Sequence, residues 1–208
     1  MNTTKLLNLV METEAACKEN YNAYKAFLEL CNMITDELGK EAEKAAGRKP
    51  NIRNAAKNFL GKDDFRPVLK KAQYFELDGV PYYGLCDGFR LAWSKNDFGF
   101  EVEKERPLNV TAIIDVNGRN IRNAEIITVE KADVIRTIKE AKANKERRIV
   151  YTLVRANGTT ILVNANYLKD ALDFTETNEI FVDGEKDAAP VYLYGKDDKN
   201  ALILPIRK

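Results

Sequence analysis

Ile149-Val150-Tyr151-Thr152-Leu153-Val154 and Thr159-Thr160-Ile161-Leu162-Val163 are two β-branched runs joined through Asn157-Gly158. Such residues fit a pleated, half-buried surface, and Asn-Gly supplies the positive φ angles that a tight hairpin needs. The pair therefore reads as antiparallel strands. Downstream, the spacing of Tyr167, Leu168, Ala171 and Leu172 predicts a short helix. Residues 179–182, 191–194 and 201–206 read as the last strands, with Asp183-Gly184 and residues 195–200 turning between them. Upstream, Val134, Ile135, Ile138 and Ala141 form the buried stripe of a helix, preceded by a short strand at 125–129.

Closer to the N-terminus, residues 68–75 and 82–93 read as strand regions, with Leu77-Asp78-Gly79-Val80 as a turn. After a polar break at 94–97, residues 98–102 and 110–116 are expected as further strands, and Asn117-Gly118 as a turn. Before Gly61 the grammar is helical. Thr3 or Thr4 caps a run carrying Leu6, Leu7, Val10 and Met11. Tyr21, Tyr24, Phe27, Leu28, Cys31, Ile34 and Leu38 follow in steps of three and four, and a short helix holds Ile52, Ala55, Ala56 and Phe59. The fold class is α+β: an N-terminal helical region at 1–60, a sheet-rich unit at 61–124 and a second unit at 125–208.

With 208 residues, 45% hydrophobic and 31% charged, the chain has the composition of a globular protein. No apolar run approaches the roughly 18–20 residues that cross a bilayer, and the N-terminus lacks a signal-peptide core, so a cytoplasmic protein is expected. There is no histidine, which removes the commonest general base and zinc ligand. Cys17, Cys31 and Cys86 imply no disulfide framework. Gly79-Val80-Pro81-Tyr82-Tyr83-Gly84 has no phosphate-loop lysine and reads as a turn. The carboxylate pairs Asp63-Asp64 and Asp197-Asp198 read as solvated turn residues, and Cys86 has no histidine to make a thiolate. Tyr82, Tyr83, Phe89 and Trp93 suit packing better than base stacking. No catalytic residue, metal or cofactor is expected.

The formal net charge of +1 gives no global attraction to nucleic acid. Its distribution is uneven, because Lys40, Lys44, Arg48, Lys49, Arg53, Lys57 and Lys62 face only Glu41 and Glu43. This stretch reads either as a solvated hinge or as a phosphate-contacting strip. In the second case Lys44, Arg48, Lys49, Arg53 and Lys57 are the DNA-binding candidates.

Two segments carry a family resemblance. Arg66-Pro67-Val68-Leu69, a strand and turn, and then Cys86-Asp87-Gly88-Phe89-Arg90-Leu91-Ala92 form the first. The second joins residues 163–172, beginning Val163-Asn164-Ala165-Asn166-Tyr167-Leu168, to the ending Ala201-Leu202-Ile203-Leu204-Pro205-Ile206-Arg207-Lys208. In kind and order they resemble the bacterial DNA sliding clamp, the β subunit of the replicative polymerase. The resemblance implies clamp-like antiparallel sheet units and a non-catalytic replication accessory protein. It also implies a groove for short hydrophobic peptides of replication or repair proteins, formed where the two segments meet. By position that groove uses Gly88, Phe89, Arg90 and Leu91 with Leu202, Leu204, Pro205, Ile206 and Arg207. Arg90 is expected to be a partly exposed anchor. Phe89 stands where the family has histidine and Lys208 where it has leucine, which alters peptide preference.

Double-stranded DNA and a homo-oligomeric ring are the further partners that the resemblance implies. The helices near 131–143 and 167–173 carry mixed charge, so the 40–62 stretch is the better DNA candidate. Small size and divergence point to a phage or mobile element. A small enzyme using carboxylates and a metal, and a regulatory adaptor binding neither DNA nor peptide, are the competing readings.

Overall fold

The computed structural model describes residues 52–62, 64–117, 124–183 and 189–207. The chain divides into two compact units, Met1–Asn54 and Ala55–Lys208, and the architecture below is that of the second. The helices expected between residues 4 and 46 lie outside the described residues, as do Lys44, Arg48 and Lys49.

Nine strands are described: β1 (Gln73–Leu77), β2 (Val80–Cys86), β3 (Arg90–Ser94), β4 (Ala124–Thr128), β5 (Val150–Val154), β6 (Thr160–Asn164), β7 (Glu179–Asp183), β8 (Val191–Tyr194) and β9 (Asn200–Ile203). Four helices accompany them: α1 (Ile52–Ala56), α2 (Val110–Asn117), α3 (Lys131–Ala143) and α4 (Ala165–Thr175). Seven strands make one antiparallel sheet in the order β1-β2-β3-β9-β8-β7-β4, and β5-β6 is a separate hairpin.

The sheet is covered on both faces. Phe75, Leu77, Cys86, Leu91, Trp93, Tyr192 and Leu202 form one core with Val110 and Ile114 of α2. On the opposite face α4 packs across β8 and β9, and α3 packs against α4. Burial follows from this arrangement. The central strand β3 is buried at every position, whereas the edge strand β1 alternates buried and exposed. A strand covered on both faces reads as a continuous apolar run, which is why Val191-Tyr192-Leu193 and Ala201-Leu202-Ile203 lack alternation.

Four expectations are corrected. Residues 110–116 form helix α2 instead of a strand. The Asn109 side-chain carbonyl accepts from Ala112 N at 3.0 Å, capping the helix. Val110 and Ile114 then fall one turn apart on the core side, and that packing outweighs the local β preference. Residues 98–102 form no strand either. Gly99, at φ +72°, donates to the Asp97 carboxylate at 2.8 Å, and only Val102 bridges the sheet, parallel to Ala72.

The strand expected at 68–75 begins at Gln73, because Pro67–Lys70 is a 3-10 turn led by proline. Gln73 is buried yet satisfied. Its amide donates to Val68 O and Lys71 O and accepts from Leu108 N. The remaining strands and helices after residue 120 fall within about two residues of their expected limits, apart from the last strand. That strand stops at Ile203, before Pro205, which has no N–H to donate.

A candidate partner-binding groove

The turn between β2 and β3 begins with Asp87, whose Oδ1 accepts from Phe89 N at 2.9 Å and from Arg90 N at 3.1 Å. Gly88 adopts φ +92°, and a Cβ there would lie 2.7 Å from the Arg66 guanidinium. Glycine is thus favoured by the positive φ, and a side chain there would also have to displace the Arg66 guanidinium. The turn pushes Phe89 outward, where it is 54% exposed. Beyond it, β3 pairs with β9, with Arg90 opposite Ile203 and Leu91 opposite Leu202. Leu204 N continues the contact by donating to Phe89 O at 2.9 Å, and Ile206 N donates to Leu162 O at 2.7 Å. The two segments singled out in the sequence are therefore bonded to each other, although more than a hundred residues separate them.

All nine groove candidates line one or both of two neighbouring concavities. The smaller, of about 400 Å³, is lined by Arg66, Val68, Leu69, Cys86, Leu91, Leu108, Ile113 and Leu202, together with Gly88, Phe89, Arg90 and Leu204. The larger, of about 790 Å³, shares Gly88, Phe89 and Leu204 and adds Pro205, Ile206, Arg207, Tyr167, Asn164, Asn166, Pro190 and residues 146–149. Leu91 and Leu202 are buried and serve as floor, while Leu204 is 36% exposed at the rim.

Arg90 is not the partly exposed anchor expected. It is only 7% exposed, and its Nε and Nη1 donate to Asp87 Oδ2 at 2.8 Å and Asp170 Oδ2 at 2.7 Å. Nη2 donates to the Asn58 carbonyl. The guanidinium also lies over the rings of Tyr167, at 4.1 Å, and Phe59, at 4.9 Å. A guanidinium with this many charged and aromatic partners fixes position instead of seeking a ligand. It holds Tyr167 beside Phe89, whose rings stack at 6.5 Å. Burial, and next the neighbouring Asp87 carboxylate, push the Tyr167 phenol above its usual range. Asn164 caps α4 by accepting from Asn166 N at 2.9 Å and Tyr167 N at 3.4 Å, which sets the wall of the larger cleft.

Several lining residues escaped the sequence reading. Ile113 comes from a segment expected as strand, Leu108 from the stretch just before it, where no element is expected, and Arg147 and Arg148 from a junction that carried no motif. The only available signal was a basic pair directly between a helix stripe and a β-branched run.

A third concavity, of about 420 Å³, is lined by Lys62, Lys139, Lys142 and Lys169 with Asn58, Asn166, Arg90, Asp170, Ile135 and Ile138. Lys169 pairs with Asp173 at 2.7 Å, and Lys131 meets the same carboxylate. Burial opposes the ionisation of Asp173, but these two lysines hold its carboxyl below the usual range. The mixed composition of α3 thus hides a one-sided arrangement of Lys139 and Lys142. Of the earlier DNA candidates, Arg53 is half-buried in α1 and Lys57 is exposed.

Asp198 pairs with Lys95 at 2.9 Å, Asp64 pairs with Lys70, and Asp63 lies outside the described residues. Among the described residues no group of three or more cysteine, aspartate or glutamate side chains is placed to hold a metal. Cys86 is buried, and burial pushes its thiol up, away from the reactive thiolate. No described helix is long and apolar enough to cross a membrane.

No protein-family model and no curated protein sequence matches the chain. Solved structures do match. The sliding clamp of Pseudomonas aeruginosa is 10% identical with a TM-score of 0.53, covering 76% of this chain and 64% of its own. The Bartonella birtlesii sliding clamp, DNA polymerase III subunit beta, is 11% identical with a TM-score of 0.54, covering 76% and 63%. The Streptococcus pneumoniae DNA polymerase III beta chain is 13% identical at 0.53, covering 76% and 62%. This chain therefore spans less than two thirds of the length of each. With sequence identity this low, the likeness concerns the fold: the chain has the fold of the bacterial DNA sliding clamps.

Proposed function

We propose that this chain is a non-catalytic accessory protein of DNA replication that captures a short apolar segment of a partner protein between Phe89 and Leu204. One observation carries the reading. The Leu204 N to Phe89 O hydrogen bond closes two distant segments into a single wall, shared by an apolar pocket and a longer cleft. Val68, Leu69, Leu91, Leu108, Ile113 and Leu202 offer a small apolar pocket that suits one leucine or phenylalanine side chain. Burying such an anchor contributes about 1.5–3 kcal/mol, and micromolar binding therefore needs the longer cleft as well as the pocket. The clamp fold supports the same reading. The test is saturable binding of a labelled peptide with leucine and phenylalanine anchors, followed by fluorescence polarisation on a folded sample. Absence of saturation at high micromolar protein removes the reading.

Contact with duplex DNA is a second reading, favoured by the lysines around the third concavity. Lys62, Lys139 and Lys142 form no ion pair with a described residue, and phosphates would be their natural counterions. Duplex binding is then weak, independent of sequence and steeply salt-sensitive. Replacing these three lysines by glutamate should abolish it, whereas Arg48, Lys49, Arg53 and Lys57 replaced together should do so only if the N-terminal strip is the site. No binding at low salt discards DNA. Solution mass by light scattering, with and without duplex, tests whether copies associate into a ring.

A further inference from the structure

The larger cleft has a charge pattern that its apolar half does not explain. Phe89, Tyr167, Leu204 and Ile206 supply carbon surface, while Arg147, Arg148 and Arg207 stand around it against one acid, Glu146. All three arginines are exposed, and none forms an ion pair or side-chain hydrogen bond with a described residue. Arg90, Arg136 and Arg155, by contrast, each meet a carboxylate at 3.0 Å or less.

The backbone holding these arginines is fixed at several points. After α3, Asn144 N donates to Glu140 O, Lys145 at φ +55° donates to Lys142 O, and Glu146 N donates to Ala141 O at 2.9 Å. That left-handed ending closes the helix. Three residues later Ile149 O accepts from Ala165 N at 3.0 Å, so Arg147 and Arg148 project from a short segment tied at both ends. Arg207 directly follows Ile206, whose N–H is bonded to Leu162 O.

We infer that the occupant of this cleft is an acidic peptide, with aspartate or glutamate flanking its apolar anchors. This rests on the peptide reading above and adds the chemistry of the partner. Three arginines around an apolar strip leave their positive charge unmatched until carboxylates arrive. Their planar forks suit carboxylates, and anchors seated beside them hold those carboxylates in reach. A neutral peptide would fill the apolar pocket and leave the arginine rim solvated.

The experiment uses the full chain and two labelled peptides with identical leucine and phenylalanine anchors. One carries aspartate and glutamate flanks, the other asparagine and glutamine. The acidic peptide is expected to bind roughly tenfold more tightly at low salt, with the gap narrowing as salt rises. In the doubly reversed variant Arg147→Glu, Arg148→Glu, the acidic peptide should bind no better than the neutral one. These positions are exposed on a turn, and a melting curve confirms that the variant is folded. Equal affinity of the two peptides overturns the acidic partner but leaves the groove standing. Failure of both peptides to bind overturns the groove and this inference with it. If single-stranded DNA displaces the acidic peptide at equal charge and concentration, the rim is reading phosphate, and the acidic-peptide assignment is lost.

Discussion

Two buried arginines stitch this unit together, one on a central strand and one beside an edge, and they do so in different company. Arg90 sits beneath the groove, between carboxylates of its own turn and of α4, with Tyr167 and Phe59 rings against it. Arg155, 3% exposed, lies where the β5-β6 hairpin meets the far edge strands. It donates through Nε to Glu125 Oε2 at 3.0 Å and through Nη2 to Asp183 O at 3.0 Å. Glu125 also accepts from Ala156 N, so one carboxylate holds both the side chain and the backbone of the hairpin. Arg90 thus ties three separate segments into the wall of a site, whereas Arg155 docks one hairpin on an edge. Buried ion pairs contribute modest net stability, but breaking one by deleting a partner is costly. The two clusters should therefore differ in the size of the loss and in what is lost with it.

The largest effect is expected for Arg90→Ala. It leaves Asp87 and Asp170 facing each other with little solvent and removes the platform under Tyr167. A loss of about 3–5 kcal/mol in urea unfolding is expected, along with peptide binding. A variant as stable as the parent would show that the cluster is dispensable. Arg155→Ala should cost less, about 2 kcal/mol, because it abandons one carboxylate where Arg90→Ala abandons two. Peptide affinity should be retained there, and a matching loss of affinity would erase the distinction between the two clusters.

Leu204→Ala sharpens the comparison from the groove side. It should cost about 1–3 kcal/mol of peptide binding through lost apolar burial, with a small change in melting because the side chain is partly exposed already. If melting falls as far as affinity does, Leu204 belongs to the core and not to the rim. The smallest effect is in pH. The Ala156 N–H, followed by the Arg155 guanidinium, holds the Glu125 carboxyl below the usual carboxylate range. A carboxyl depressed in the folded state adds stability above its unfolded pKa and loses it as pH falls through the folded one. The stability gap between Glu125→Gln and the parent should therefore be largest near neutral pH and close on acidification below the ordinary carboxylate range. A gap that does not vary with pH would remove the electrostatic account of the hairpin dock.

The sequence by itself determined the local elements whose signals agree with one another. Asn157-Gly158 between two β-branched runs gave the β5-β6 hairpin, and Asp78-Gly79, both at positive φ, gave the β1-β2 turn. The pairing of the Asp87 turn with the C-terminal segment was legible only through family resemblance, because no local pattern specifies which strand lies beside β3. Tertiary structure decided the rest. It turned residues 110–116 into a helix, since Val110 and Ile114 had a core to enter on one side, and a β-branched run records preference without recording the surface available. It also buried Arg90. A guanidinium is read from sequence as solvated until two carboxylates and two rings from distant segments are brought around it, and that convergence exists only in three dimensions.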